Sequence, residues 1–272
     1  MKPAGRKIVG VVVYDYPMAV AADRAGVDLV SVGDSVGTAL WGFDPQEEVT
    51  LDQMLLVCRA VSRGATRAVV SCDFPYECST GGPNTAVQSA RRLVNEAGAR
   101  MIKVDAAAEM PEVVEAIVRA GIPVWAQFGI TPHSEDARTI RGRGESIADF
   151  MAAHADRFVE QARRLERAGA AMLDFTNSGP VAGAAVAAAV AIPVIGGLGG
   201  GPWLDGRVRA LANAVGYSAA ALDDSTERYA NVARTTLEAF SAYAADVRAA
   251  RQVLGEPPTR TASPSATPHT GR

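Results

Sequence analysis

Short apolar runs and stretches with helical spacing alternate along this chain, with little between them. Ile8–Val13 is the first run, ended by Tyr14-Asp15-Tyr16-Pro17. Helical spacing follows over Met18–Ala25 and stops at Gly26, a residue suited to a left-handed C-cap. Val27–Val32 is the second strand, and Thr50 opens a helix that runs through Arg63 to Gly64. Between these two, Ser35 to Val49 is a long connection carrying Trp41 and Phe43, placed to cover a site. Arg67–Cys72 predicts a third strand and Thr85–Ala97 a helix ended by Gly98. Arg100–Val104, Ile122–Gln127, Ala170–Phe175 and Ile192–Gly196 continue the strands. Helices over Pro111–Ala120, from about Ile147 to Arg167 and over Val181–Val190 lie between them, and His133–Ser146 is polar. Val208–Tyr217 reads either as an eighth strand or as helix.

Strand and helix in regular alternation, with short connections, argue for a parallel sheet covered by helices. A chain of 272 residues suits one α/β barrel. The expected organisation is a single (βα)8 TIM-type barrel domain over residues 1–254, its last part a helical extension from about Ser225 to Leu254. Residues 255–272 are rich in Pro, Ser and Thr without apolar periodicity, and are expected to be a disordered tail.

Composition narrows the function. Apolar residues make up 48% but aromatic residues only 6%, so alanine and valine do most of the packing. A net charge of −3 carries no electrostatic footprint for nucleic acid or an anionic membrane. No run reaches membrane-span length, and residues 1–7 lack the apolar segment of a signal peptide. Cys58, Cys72 and Cys78 show no metal-type spacing and read as small buried residues of a reduced, cytoplasmic protein.

Three strand ends carry the chemistry. Val30-Ser31-Val32-Gly33-Asp34-Ser35, Val69-Val70-Ser71-Cys72-Asp73 and Met101-Ile102-Lys103-Val104-Asp105 each finish an apolar run in a carboxylate. Parallel strands present their C-terminal ends at one face, so Asp34, Asp73 and Asp105 can converge there. Three carboxylates suit a hard divalent cation such as Mg²⁺. Lys103 shares the strand parity of Asp105, and a buried lysine is rare unless paired, which places it among those carboxylates. A lysine so placed keeps its proton and makes a poor Schiff-base nucleophile. The run Gly196–Gly201 lacks the lysine and spacing of a nucleotide loop. His133 is the histidine nearest the expected mouth, and reads as a solvated loop residue before it reads as an acid or base.

Tyr14-Asp15, Val32-Gly33-Asp34-Ser35, Val49-Thr50-Leu51-Asp52-Gln53-Met54, Arg63-Gly64-Ala65, Asp73-Phe74-Pro75, Ile102-Lys103-Val104-Asp105, Gly129-Ile130-Thr131-Pro132 and Ile192-Pro193-Val194-Ile195-Gly196 follow one another in a telling order. Together they resemble the ketopantoate hydroxymethyltransferase family over about residues 7–216. The resemblance implies a barrel of the phosphoenolpyruvate mutase/isocitrate lyase superfamily, Mg²⁺ dependence and a homo-oligomer, often a decamer. It also implies transfer of a one-carbon unit from 5,10-methylenetetrahydrofolate to carbon 3 of a 2-oxo acid, through an enolate that the metal stabilises. Carried over by position, Asp34 and Asp73 bind or orient the metal, with Asp105 where the family has Glu. Ser35 and Lys103 hold the substrate's carboxylate and ketone side.

Two departures weigh on the proton-transfer half. Thr176 fills the place of the family's catalytic Glu, and a hydroxyl cannot act as base near neutral pH. Gln127 stands where the family has a substrate-contacting His. Asp174 lies two residues before Thr176 and so faces the same side. The catalytic assignment is therefore Lys103 with Asp174, and Thr176 and Gln127 become substrate contacts beside Ser35. The leading expectation is an enzyme that makes or breaks a C–C bond through a 2-oxo acid enolate. The alternative is a lyase, decarboxylase or hydrolase that reuses the metal and oxo-acid site. A non-catalytic metabolite-binding barrel ranks last, because a scaffold has no need of a buried charge cluster.

Overall fold

The computed structural model describes residues 2, 5–44, 49–131, 133–143, 146–197 and 199–255, the side chains of residues 138 and 141–143 excepted. Eight parallel strands close into a barrel in sequence order: β1 (Ile8–Val13), β2 (Leu29–Val32), β3 (Val69–Asp73), β4 (Met101–Val104), β5 (Val124–Gly129), β6 (Met172–Thr176), β7 (Val194–Gly196) and β8 (Gly206–Ala210). The helices are α1 (Tyr16–Ala25), α2 (Leu51–Gly64), α3 (Tyr76–Thr80), α4 (Pro83–Ala97), α5 (Pro111–Arg119), α6 (Glu135–Arg143), α7 (Ile147–Ala153), α8 (Ala155–Arg167), α9 (Pro180–Ala189), α10 (Leu211–Val215) and α11 (Val232–Arg248). The expected (βα)8 barrel is the fold observed. The tail expected over residues 255–272 lies, apart from Gly255, outside the described residues.

Local signals set the element ends. Asp15 caps α1 by accepting from Met18 N at 2.8 Å, and Pro17 in the first turn pulls the start two residues ahead of the expected Met18. Thr50 and Gln53 form a reciprocal capping box on α2, satisfying two otherwise orphaned N–H groups. The expected long helix at 147–167 is instead two, α7 and α8, meeting at His154. The polar stretch after β5 folds its middle into α6. The ambiguous eighth element resolves into both readings, strand β8 and then helix α10, because pairing with β7 ends at Arg207 and pairing with β1 at Ala210. Residues Gly37–Trp41 make a π-helical turn, and neither Trp41 nor Phe43 lines the cavity described below. The anticipated cover over the mouth is therefore not built by these two aromatics.

Register decides which side chains share the barrel interior. Asp73 pairs with Lys103, Lys103 with Trp125, and Trp125 with Met172. Gln127 pairs with Asp174 and Gly129 with Thr176. Below this polar level, Leu29, Trp125, Met172, Ile195 and Val208 form a closed apolar cluster inside the barrel. It plugs the N-terminal end and leaves only the C-terminal face for chemistry. Outside, buried alanines such as Ala19, Ala86, Ala90, Ala162 and Ala182 let helices lie close on the sheet. Among the described residues no helix is long and apolar enough to cross a membrane.

The plug is also the floor of the site, so its loss is felt above it. Trp125→Ala should cost about 3–5 kcal/mol, the usual range for truncating a buried aromatic. Urea unfolding measures it, and a cost below about 1 kcal/mol would mean the barrel does not depend on this layer.

Candidate active site

A cavity of about 520 Å³ opens at the C-terminal ends of the strands. Its wall includes Asp34, Ser35, Asp73, Lys103, Asp105, Gln127, Asp174 and Thr176, so every residue expected from the sequence is brought to one place. Asp34 and Ser35 directly follow β2, Asp73 ends β3, and Lys103 and Asp105 straddle the end of β4. Residues 207–210 of β8, Asn213 and Val12 complete a side that sequence reasoning missed. That side fell in the ambiguous eighth element, where no apolar run marked a strand.

Lys103 organises the floor. It is 8% exposed, and its Nζ lies 3.2 Å from Asp73 Oδ2 and 3.5 Å from Asp174 Oδ2. The ammonium also sits 5.1 Å from the Trp125 ring centroid, on the plug below. Burial pulls the lysine pKa down, but Asp73, Asp174, Asp34 and Asp105 outweigh it and hold the group above its ordinary value. It is a fixed cation. Ser31, fully buried on β2, donates from Oγ to Asp73 Oδ1 at 2.8 Å, so both oxygens of Asp73 are oriented.

The other carboxylates are treated differently by their surroundings. Burial, then the charge of Asp73, pushes the Asp34 carboxyl up to about 7. Among the described residues no hydrogen bond or ion pair reaches its oxygens, unlike those of Asp73. Asp174 is 3% exposed, and burial raises it to about 6 against the lowering effect of Lys103. Its second oxygen, Oδ1, finds no hydrogen-bond partner among the described residues. Asp105 goes the other way. Burial pushes it up, but the hydrogen bond from His133, with that from Ala106 N, prevails and holds it below the usual range. Its Oδ2 lies 2.5 Å from His133 Nδ1, and its Oδ1 accepts from Ala106 N at 2.7 Å.

His133 is the functional neighbour the sequence reading placed in solvent. It is 8% exposed, lines the cavity, and stacks on Tyr76 with ring centroids 4.2 Å apart and planes at 10°. The signal available was its place two residues after Thr131, on a loop that had to turn back over the mouth. Gln127 and Thr176 also meet each other, Nε2 donating to Oγ1 at 3.0 Å. Tyr14 OH and Ser35 Oγ are 3.0 Å apart on the opposite wall.

Backbone geometry around these residues is tight. Ala106 at φ 48° and Asn177 at φ 57° take left-handed conformations directly after Asp105 and Thr176. Such a turn costs an alanine about 1–2 kcal/mol, and here it brings Ala106 N onto the Asp105 carboxylate. Gly129, at φ 95°, has no room for a side chain, because a Cβ would stand 2.5 Å from Thr176 O. Only glycine lets β5 approach β6 at the level of the Gln127–Thr176 pair.

Four carboxylates, Asp34, Asp73, Asp105 and Asp174, share the cavity with the buried Lys103, while Arg207 and Arg209 line its exposed side. Among the described residues no three His, Cys, Asp or Glu side chains stand close enough to make an all-protein metal cage. Mg²⁺ seldom uses one: it takes one or two carboxylates and fills its octahedron with water and substrate oxygens. Asp34, whose carboxylate takes no hydrogen bond among the described residues, and Asp73 fit that pattern.

A family model described as ketopantoate hydroxymethyltransferase matches residues 1–252. The chain is 37% identical over 248 residues to the 3-methyl-2-oxobutanoate hydroxymethyltransferase of Geobacillus kaustophilus (strain HTA426), covering 91% of this chain and 87% of the relative. It is 38% identical to the enzyme of the same name from Salinibacter ruber (strain DSM 13855 / M31), over 91% of this chain and 92% of that one. Among solved structures, 2,3-dimethylmalate lyase, a PEP mutase/isocitrate lyase superfamily member, superposes with TM-score 0.60 at 15% identity, over 94% of this chain and 87% of that one. Phosphonopyruvate hydrolase in complex with oxalate and Mg²⁺ gives TM-score 0.59 at 15% identity, over 91% and 84%. At such identities these two likenesses speak for the fold alone.

The raised Asp174 carboxyl has a consequence for stability. In the unfolded chain it releases its proton near about pH 3.9, but in the native protein only at about 6. Between those values the native state binds the extra proton, so this group's contribution falls as pH rises, by up to about 1.4 kcal/mol per pH unit. Asp174→Asn should flatten that part of the curve in urea unfolding between about pH 4 and pH 6 without added metal. An unchanged slope would mean that Asp174 titrates normally.

Proposed function

The chain belongs to the ketopantoate hydroxymethyltransferase family, and we propose that it is a Mg²⁺-dependent hydroxymethyltransferase acting through the enolate of a 2-oxo acid. The observation that carries this reading is the cluster of carboxylates around the buried Lys103, with no hydrogen bond to the Asp34 carboxylate among the described residues. Asp34 and Asp73 hold the metal. Bound there, Mg²⁺ would supply Lewis-acid stabilisation of the negative charge that develops on the oxo acid's oxygen.

The chain's own residues supply the rest. Lys103, a fixed cation between Asp73 and Asp174, attracts the substrate's carboxylate and ketone side, and Ser35 orients it by hydrogen bonding. Asp174, with a carboxyl raised to about 6, takes the proton from carbon 3. Gln127 and Thr176, fixed to one another, line the wall that the substrate's side chain meets. The apolar plug keeps water from entering from below. The one-carbon donor is 5,10-methylenetetrahydrofolate, and the enzyme works as a cytoplasmic homo-oligomer.

The Gln127–Thr176 hydrogen bond favours a second reading, because it occupies the place from which the family's glutamate acts. In that reading the same metal and oxo-acid pocket serves a lyase, decarboxylase or hydrolase.

Deuterium exchange at carbon 3 of 3-methyl-2-oxobutanoate and a panel of other 2-oxo acids, with and without Mg²⁺, separates the two. Metal-dependent exchange is expected, and its absence with every acid would turn the assignment to the second reading. Asp73→Ala should abolish exchange while the protein stays folded by circular dichroism; exchange at the wild-type rate would remove the metal from this place. Asp174→Asn should slow exchange by about 10²–10⁴-fold, the usual weight of general-base catalysis. Equal rates would exclude Asp174 as the base.

A further inference from the structure

We propose that the N-terminal mouth of the barrel, beneath the apolar plug, is a second ligand site that takes a small apolar monocarboxylate. A separate cavity of about 300 Å³ opens there, walled by Ile8, Leu29, Val69, Met101 and Met172. Strand alternation puts them there. Val69, Met101 and Met172 precede Asp73, Lys103 and Asp174 by even steps on β3, β4 and β6, and so share their interior side. Leu29 and Met172 belong to the plug, and Ile8 and Met101 pack against it, so its underside closes this cavity from above. One apolar layer thus separates two cavities, the upper lined by carboxylates and the lower by alkyl side chains.

Size and charge narrow the class of occupant. The space inside the ring of strand ends equals about ten water volumes, enough for one short alkyl chain. A protein segment inserted there would bring backbone N–H and C=O groups that these alkyl side chains cannot satisfy. At the rim stand Arg6, Lys7 and Asp28. Arg6 is paired with Asp28. Lys7 donates to two neutral carbonyls, Pro202 O at 2.9 Å and Leu204 O at 2.5 Å, and among the described residues it has no ion pair. Two cations therefore stand against one carboxylate. The positive charge left over lies at the mouth of an apolar cavity, which is the complement of a monocarboxylate with a hydrocarbon tail.

Hexanoate is the probe, and hexan-1-ol its uncharged counterpart. In protein carrying ¹³C-labelled methionine methyl groups, hexanoate should move the Met101 and Met172 signals. Those of Met54 and Met151, buried outside this cavity, should stay in place. Calorimetry should give a Kd of about 1 mM, which corresponds to burying five carbons at the usual energy per methylene. Val69→Phe and Met101→Trp, which fill the cavity, should each weaken binding by about tenfold or more with the circular dichroism of the wild type retained. Arg6→Gln should weaken hexanoate about two- to fivefold, the usual weight of an exposed ion pair, and leave hexan-1-ol unaffected. Hexanoate that moves neither methionine, or that binds the filled variants as well as the wild type, would overturn the site. Hexan-1-ol bound as tightly as hexanoate would overturn the class of ligand. Catalysis enters none of these readings, so the site stands or falls separately from the function proposed above.

Discussion

Everything at the mouth of this barrel depends on keeping one ammonium group out of water. Taking a lysine into a protein interior costs several kcal/mol unless charges and hydrogen bonds replace its hydration. Lys103 has Asp73 and Asp174 as ion-pair partners and the Trp125 ring beneath it. Asp34 and Asp105 stand in the same cavity beyond these two partners. Removing Lys103 would strand two buried carboxylates; removing the carboxylates would strand the lysine.

Gln127, Thr176 and Asp105, which the resemblance marks as departures from the family pattern, all make side-chain contacts on the cavity wall. Gln127 and Thr176 touch each other, and the shortened Asp105 touches His133. In each case two side chains with complementary hydrogen-bonding groups fill one place. The Thr176 hydroxyl accepts from the Gln127 amide and the Asp105 carboxylate accepts from His133, so neither acceptor is stranded at its contact. Both contacts stand on the wall of the same cavity.

Rigid surroundings make such short contacts workable. The apolar plug fixes the floor, and the strands reach the mouth through constrained backbone at Ala106, Gly129 and Asn177. Strain of this kind persists only where the rest of the fold over-determines the chain. Here it lies within one residue of Asp105 and Thr176, and it aims backbone N–H and side-chain groups at the site.

The order of strands and helices, the caps at Gly26 and Thr50, and the carboxylates at the strand ends were legible in the sequence. These depend on contacts a few residues apart and on a twofold or 3.6-residue period. The sequence also placed Asp34, Asp73, Lys103 and Asp105 on one face, since parallel strands share a C-terminal end. It could not show that Asp73 and Asp174 flank the same ammonium, because barrel closure sets that distance across 101 positions of chain. The eighth strand was ambiguous for the same reason: Gly206–Ala210 has little apolar pattern of its own and is a strand because β1 and β7 offer it two edges. His133 looked like a surface residue for want of a neighbour in sequence, and became part of the site when a loop laid it between Asp105 and Tyr76. Local periodicity determined what each segment is; only closure of the barrel decided which charges must neutralise one another.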